Sequence, residues 1–230
     1  MGSRIAMRPR RPSRRRLLLL VALLALTGFL VLAIVAARQH FFELDRTAYT
    51  YAYVERNAAL QEFMEKVSLL GTGAALIPLI LAGSVVLWSR RRRGWALYLP
   101  ALMAGAGALQ FLAKWAVDRP RPNLNPHGFP SGHVLVLVVL FGVLLYLIVT
   151  TTSRRRWRFL ATALFVLPVL IVAYSRLYLR AHWLTDVIGG FAAGLAYVIV
   201  GIVTAELIAA RREKRAATAP SAPASPNAVG

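Results

Sequence analysis

The chain has 230 residues, is 58% hydrophobic, and carries a formal net charge of +19 with no cysteine. This composition is too apolar for an ordinary soluble domain, and it excludes disulfide bonds and thiolate metal sites. The basic excess does not indicate nucleic-acid binding, because most of the 28 lysines and arginines stand in short clusters beside apolar runs. We therefore expect an integral membrane protein with no nucleic-acid partner.

Six apolar segments are candidates for crossing a bilayer, which takes about 20 residues. They are residues 17–37, 67–88, 95–115, 134–152, 159–174 and 185–210, of which the fifth is short for a span. Each is predicted to be helical, because backbone amides inside a bilayer must be satisfied within their own segment. The predicted fold class is all-α, a polytopic bundle of six transmembrane helices.

The basic clusters lie at 4–16, 90–93, 154–158 and 211–215, so they flank alternate predicted helices. The positive-inside rule then puts both termini in the cytoplasm of a multi-pass protein of the cell (plasma) membrane. Residues 1–16 form a basic N-terminus, 17–210 the membrane domain, and 211–230 a tail expected to be disordered. The first apolar run exceeds the roughly 7–15 residues of a signal-peptide core, so an uncleaved span is favoured.

Three remaining connections are expected on the outer side of the membrane. Residues 38–66 alternate apolar and charged side chains, which predicts one or two amphipathic helices on the membrane surface. A packing role for them is favoured over guidance of a substrate. Residues 114–133 contain four prolines, which forbid regular helix, and residues 175–186 form the short third connection. The basic and histidine residues of the last two connections therefore share one face.

Chemistry is first indicated where Ser131, Gly132 and His133 open the fourth span. A helix start offers unpaired N–H groups and partial positive charge, Gly132 lets an anion approach, and Ser131 can donate its hydroxyl. An ordinary N-cap is the alternative reading.

His182 and Asp186 are spaced i,i+4, so on a helix a carboxylate can orient an imidazole. A purely structural pair is again the alternative. Cations that suit phosphate oxygens are Lys114, Arg121 and Arg176, with Arg119 and Arg180 as further candidates for phosphate contact.

These residues carry a resemblance to a known family. Lys114-x6-Arg121-Pro122, Pro130-Ser131-Gly132-His133 and Ser175-Arg176-x5-His182-x3-Asp186 resemble the three-part signature of the type 2 phosphatidic acid phosphatase (PAP2) family, which also includes vanadium haloperoxidases. The resemblance covers roughly residues 40–210, and all eleven signature positions are present. It implies a PAP2-like bundle with the active site at the outer membrane face.

The resemblance also implies a role for each residue. His182 attacks phosphorus and becomes a phosphohistidine, Asp186 orients it, and His133 is the general acid. Phosphate is held by Lys114, Arg121, Ser131, Gly132 and Arg176. No metal or cofactor is implied. Because Arg180 stands where a small residue is expected, ordinary interfacial charge is favoured for it over phosphate contact.

The resulting hypothesis is a lipid phosphatase whose partners are membrane lipids and a lipid phosphate or diphosphate substrate. The extra arginines favour an undecaprenyl-type (polyprenyl) diphosphate. Phosphatidic acid and phosphatidylglycerophosphate are the alternatives within that class. A non-enzymatic protein on the same fold is disfavoured by the intact signature, and haloperoxidase chemistry on vanadate by the lipid-facing site.

Overall fold

The computed structural model describes residues 12–54 and 57–218, and within them it contains helices and no strand. The helices are α1 (Pro12–Ala37), α2 (Glu43–Val54), α3 (Ala58–Ser68), α4 (Gly73–Ser89), α5 (Arg93–Val117), α6 (Gly132–Thr151), α7 (Arg155–Tyr178) and α8 (Leu184–Thr218). A 3₁₀ turn, Leu69–Gly71, joins α3 to α4. The predicted all-α class is confirmed.

Helix α6 forms the centre of the bundle. It contains no Asp, Glu, Lys or Arg, and every residue from Val134 to Leu140 is buried. It packs on α5, α7 and α8, while α1 packs along α8. A helix that is apolar all round belongs in an interior. By contrast, α1, α4 and α7 expose many large apolar side chains, which suits contact with lipid.

Among the described residues, five helices are long and apolar enough to cross a membrane: α1, α5, α6, α7 and α8. A sixth span is available if the bent pair Ala58–Gly71 and Gly73–Ser89, with 47° between its parts, counts as one. The predicted span 67–88 is therefore wrong at its start, because residues 67 and 68 end α3. Thr72 is extended at the break, with ψ of 158°. Hydropathy does not register a bend in a run that stays apolar on both sides.

Other predicted boundaries also change. The fifth predicted span, 159–174, is too short, because α7 has 24 residues. Helix α8 continues through the last basic cluster to Thr218, so the predicted tail 211–230 begins as helix, and residues 219–230 lie outside the described part. Helix α1 begins at Pro12, within the predicted N-terminal segment 1–16, of which residues 1–11 also lie outside the described part.

Residues 38–66, the first connection predicted to be outer, form two helices, α2 and α3, where one or two were predicted. Asn57 is the N-cap of α3, and its side chain accepts a hydrogen bond from the Leu60 amide at 2.8 Å. Helix α2 packs on α7 and α8, and α3 packs on α7. The amphipathic segment is thus part of the bundle, and it buries one carboxylate, Asp45, completely.

Successive helices from α5 to α8 run in alternate directions. The C-terminal ends of α5 and α7 therefore meet the N-terminal ends of α6 and α8 at one end of the bundle, which we call the site end. The basic turns at 90–93 and 153–158 lie at the opposite end. All three sequence motifs are located at the site end.

Candidate active site

His182 and Asp186 are buried together where the loop after α7 enters α8. Nδ1 of His182 lies 3.5 Å from Oδ2 of Asp186, which is longer than an ordinary hydrogen bond. The two side chains are 2% and 0% exposed. Because Nδ1 faces the carboxylate, Nε2 is the nitrogen left for chemistry.

Asp186 is fixed from three directions. Its Oδ2 accepts the Trp183 amide at 2.9 Å, and its Oδ1 accepts Nη1 of Arg119 at 2.9 Å. Its backbone carbonyl accepts the Ser131 amide at 2.9 Å. The second and third motifs are therefore joined directly through this residue.

The N-terminus of α6 has the properties of an anion site. Ser131 stands at the N-cap position, but its side chain makes no capping hydrogen bond, and its buried hydroxyl has no partner in the described protein. A Cβ on Gly132 would collide with Oε1 of Gln110 and lie 3.6 Å from Cε of Lys114. A side chain at position 132 would therefore displace Gln110, and the helix start lies beside a lysine.

Three cations converge on this region. Nζ of Lys114 donates to the His127 carbonyl at 2.7 Å, and Nη1 of Arg176 donates to the Ser68 hydroxyl. Lys114 interacts electrostatically with both Arg121 and Arg176. Nε of Arg121 and Nε of Arg176 are buried without a partner among the described residues. Buried donors without partners are uncommon in native proteins, so this group is suited to an oxyanion.

His133 is in the first turn of α6 and interacts electrostatically with Arg176, His182 and Lys114. The 3₁₀ turn packs directly against it. A Cβ on Gly71 would lie 2.5 Å from Cδ2 of His133 and 2.7 Å from its Cβ. Gly71, which is outside the three motifs, therefore lies in close contact with this imidazole.

The two further candidates for phosphate contact lie elsewhere. Both terminal nitrogens of Arg119 are occupied by Asp45, Thr185, Asp186 and the His40 carbonyl, and the side chain is 1% exposed. The guanidinium carbon of Arg180 lies 4.9 Å from the Tyr49 ring centroid on α2. Arg180 also has a left-handed φ of 53°, where a small residue is the usual choice.

The site favours an anion rather than a metal. Within residues 12–54 and 57–218, no three His, Asp or Glu side chains come together as a possible metal site. The side chains that could contact a bound group are hydrogen-bond donors: one hydroxyl, one ammonium and two guanidinium groups. Such a set fits the equatorial oxygens of a phosphoryl group.

Burial lowers the pKa of His182 to about 4, with the charges of Lys114 and Arg176 adding to the lowering and Asp186 opposing it. We expect neutral His182 down to about pH 4. An unfolded histidine titrates near pH 6.5. The unfolded chain therefore binds more protons between these values, and the stability that His182 contributes falls as pH drops from 6.5 to about 4. Nitrogen-15 histidine NMR in detergent, with the His182 signal assigned from His182→Gln, measures the pKa of this side chain. A titration midpoint near pH 6.5 would contradict the prediction.

Sequence reasoning missed five residues of this region: Asp45, Ser68, Gly71, Gln110 and Thr185. One left a signal. Asp45, Ala48, Tyr49 and Ala52 follow helical spacing on α2, so Asp45 is an acid on an otherwise apolar face. The other four required knowledge of which helix ends meet.

Comparison with known proteins gives a consistent assignment. The sequence profile of the PAP2 superfamily matches residues 95–208, from α5 to α8. Phosphatidylglycerophosphatase B of Bacillus subtilis is 30% identical over 179 residues, which cover 73% of this chain and 86% of that protein. Dolichyldiphosphatase 1 of Callithrix jacchus is 31% identical over 116 residues, 44% of this chain and 49% of that protein.

Solved structures show the same bundle. The crystal structure of a transmembrane PAP2-type phosphatidylglycerolphosphate phosphatase from Bacillus subtilis matches with a TM-score of 0.71 at 25% identity, over 80% of this chain and 96% of that one. LpxE of Aquifex aeolicus matches in fold, with a TM-score of 0.57 at 21% identity, over 70% of this chain and 96% of that one. Because sequence similarity extends over most of a relative's length and a solved member has the same bundle, the chain is a multi-pass membrane protein that belongs to the PAP2 superfamily.

Proposed function

We propose that the protein is a membrane lipid phosphatase that works through a phosphohistidine on His182. The observation that carries this is the buried His182–Asp186 pair, near which buried donors have no partner within residues 12–54 and 57–218. A nucleophilic histidine needs one nitrogen oriented by a carboxylate and the other facing the electrophile. The relatives named phosphatidylglycerophosphatase and dolichyldiphosphatase support a lipid phosphate as substrate.

The reaction has two steps. Nε2 of His182 attacks phosphorus, the bond from phosphorus to the lipid oxygen breaks, and His133 gives that oxygen a proton. Lys114, Arg121 and Arg176, with the Ser131 hydroxyl and the Gly132 amide, stabilise charge on the equatorial oxygens. Water, deprotonated by His133, then attacks the phosphohistidine and releases inorganic phosphate. Asp186 stabilises the imidazolium formed in between, and no metal is required.

The headgroup has two candidates. A polyprenyl diphosphate is supported by the dolichyldiphosphatase relative, but Arg119, one of the arginines that favoured it, is occupied by carboxylates. A glycerolipid monoester such as phosphatidylglycerophosphate or phosphatidic acid is supported by the relative that covers most of this chain. The polyprenyl diphosphate stays the first candidate and the monoester the alternative, but the ion pairs of Arg119 with Asp45 and Asp186 remove one argument for the diphosphate.

Phosphate release by the detergent-purified protein in EDTA tests the function. Undecaprenyl diphosphate, phosphatidylglycerophosphate and phosphatidic acid are offered in parallel, with His182→Ala as the control. Release by the wild type alone supports a metal-independent histidine phosphatase and ranks the lipids. Release from no lipid, or equal release by the variant, overturns the proposal.

We also propose that the site end faces the outer side of the membrane, because the basic turns lie at the opposite end. The chain has no cysteine, so single thiols can report the orientation. In spheroplasts, an impermeant maleimide should label Leu124→Cys, whose parent residue is 88% exposed at the site end. Ser89→Cys, beside the basic turn at 90–93, should react only in inverted vesicles. The reverse pattern would contradict this orientation.

Gly71→Ala should lower both stability and turnover, because its Cβ would overlap His133. Overpacking of this kind costs about 1–3 kcal/mol, and we expect kcat to fall about tenfold as the imidazole shifts. Gly73→Ala is the matched control, since its Cβ would meet only Ile77, at 3.9 Å. Melting temperature and kcat are measured for both variants. Equal behaviour of the two would show that the 3₁₀ turn does not position His133.

A further inference from the structure

Arg119 is buried between two buried carboxylates. Its Nη2 donates to Oδ2 of Asp45 at 2.9 Å, and its Nη1 donates to Oδ1 of Asp186 at 2.9 Å. Asp45 lies on α2, outside the three motifs and outside the residues that the superfamily profile matches. A continuous set of ion pairs therefore runs from the amphipathic segment to the partner of His182.

Thr185 joins the same network. Oδ1 of Asp45 accepts the Thr185 amide at 2.8 Å, and the Thr185 hydroxyl lies 2.9 Å from Oδ2 of Asp45. Nη1 of Arg119 also donates to that hydroxyl at 2.6 Å. Asp45 thus places a negative charge at the N-terminus of α8, where unpaired amides favour it.

Aromatic rings cover the network. The guanidinium carbon of Arg119 lies 4.6 Å from the Phe41 ring centroid and 5.9 Å from that of Trp183. The ring centroids of Phe41 and Trp183 are 4.9 Å apart. These rings keep water away, so each charge in the network depends strongly on its neighbours.

Charge balance indicates what the network does. One arginine and two carboxylates carry one net negative charge, which is available to His182 only if Asp45 neutralises Arg119. We propose that Asp45 and Arg119 are positioning residues. Asp45 balances the charge of Arg119, and Arg119 holds Asp186 in place. The negative charge of Asp186 then stays directed to His182. This inference rests on the proposed function, since it names what supports the nucleophile.

Four proteins test it: wild type, Asp45→Asn, the double variant Asp45→Asn/Arg119→Gln, and Glu43→Gln. Glu43 is an exposed acid on the same helix, so its variant should match the wild type. Asp45→Asn should lower kcat about 10- to 100-fold, as loss of outer-shell partners does, with KM within about twofold. The double variant should be faster than Asp45→Asn, because removing the unbalanced arginine returns the charge of Asp186 to His182.

A merely structural role for the network predicts the opposite order, because the double variant then loses more contacts. A double variant as slow as Asp45→Asn, or an Asp45→Asn variant within about twofold of wild-type kcat, overturns the inference. If Asp45→Asn does not fold, the kcat of the double variant decides the question. A folded double variant whose kcat is more than about 100-fold below that of the wild type also overturns the inference.

A second readout does not depend on activity. Nitrogen-15 NMR should show His182 with its proton on Nδ1 in the wild type and in Glu43→Gln, and a shift away from this tautomer in Asp45→Asn. An unchanged tautomer overturns the inference. If the wild type releases phosphate from no lipid, the proposed function is overturned. The tautomer comparison still decides whether Asp45 and Arg119 position Asp186 for His182.

Discussion

His182→Gln is expected to abolish phosphate release from every lipid substrate, with a loss on the order of 10⁴-fold or more. The reason is chemical: glutamine cannot form the bond to phosphorus that the first step requires. The variant should still fold, since glutamine occupies a similar volume and Asp186 keeps its hydrogen bonds to Trp183 and Arg119. Elution volume and melting temperature in detergent check this.

The covalent intermediate gives the sharper measurement. Wild type quenched in alkali after mixing with ³²P-labelled lipid phosphate should retain label in the protein, because a phosphoramidate survives alkali and is lost in acid. His182→Gln keeps the other three histidines, His40, His127 and His133. Label that disappears in this variant alone assigns the phosphate to position 182. Label that persists, or turnover that continues, would mean that another group is the nucleophile.

Much of the site could be predicted because its residues lie at fixed distances along the chain. His182 and Asp186 are only four positions apart, so they come together although His182 lies in the loop before α8 and not on the helix face that their spacing predicted, and Ser131-Gly132-His133 marks a helix start by composition alone. Apolar runs and basic clusters likewise predicted the bundle and the face on which the motifs lie. These features depend on local sequence, which tertiary packing does not rearrange.

The residues that were missed depend on long-range packing. Arg119 and Arg121 both precede a proline, yet Arg119 is buried in ion pairs with carboxylates, whereas Arg121 is only partly buried and interacts with Lys114. The partner that distinguishes Arg119 is Asp45, more than 70 positions earlier on α2, and the sequence gives no sign of that contact. The close contact of Gly71 with His133 escaped for the same reason, since the two residues are far apart in the sequence.

His133→Gln should have an effect that depends on the leaving group. If His133 protonates the departing oxygen, its loss costs about 10²–10⁴-fold on phosphatidylglycerophosphate, whose alkoxide is a poor leaving group. 4-Nitrophenyl phosphate releases a stable phenolate that needs little protonation, so its phosphoenzyme should form at within about tenfold of the wild-type rate. The burst of nitrophenolate measures that step separately from the hydrolysis of the phosphohistidine.

The loss caused by His133→Gln on the diphosphate lipid should lie between those on the other two substrates, because its leaving group is a phosphate monoester that carries negative charge well. The order of losses across the three substrates therefore reports on proton transfer rather than on binding, and KM should change little in each case. Equal losses on all three would instead assign His133 to phosphate binding alongside Lys114 and Arg176. The leaving oxygen would then have no identified proton donor in the site, and water at the membrane surface would have to protonate it.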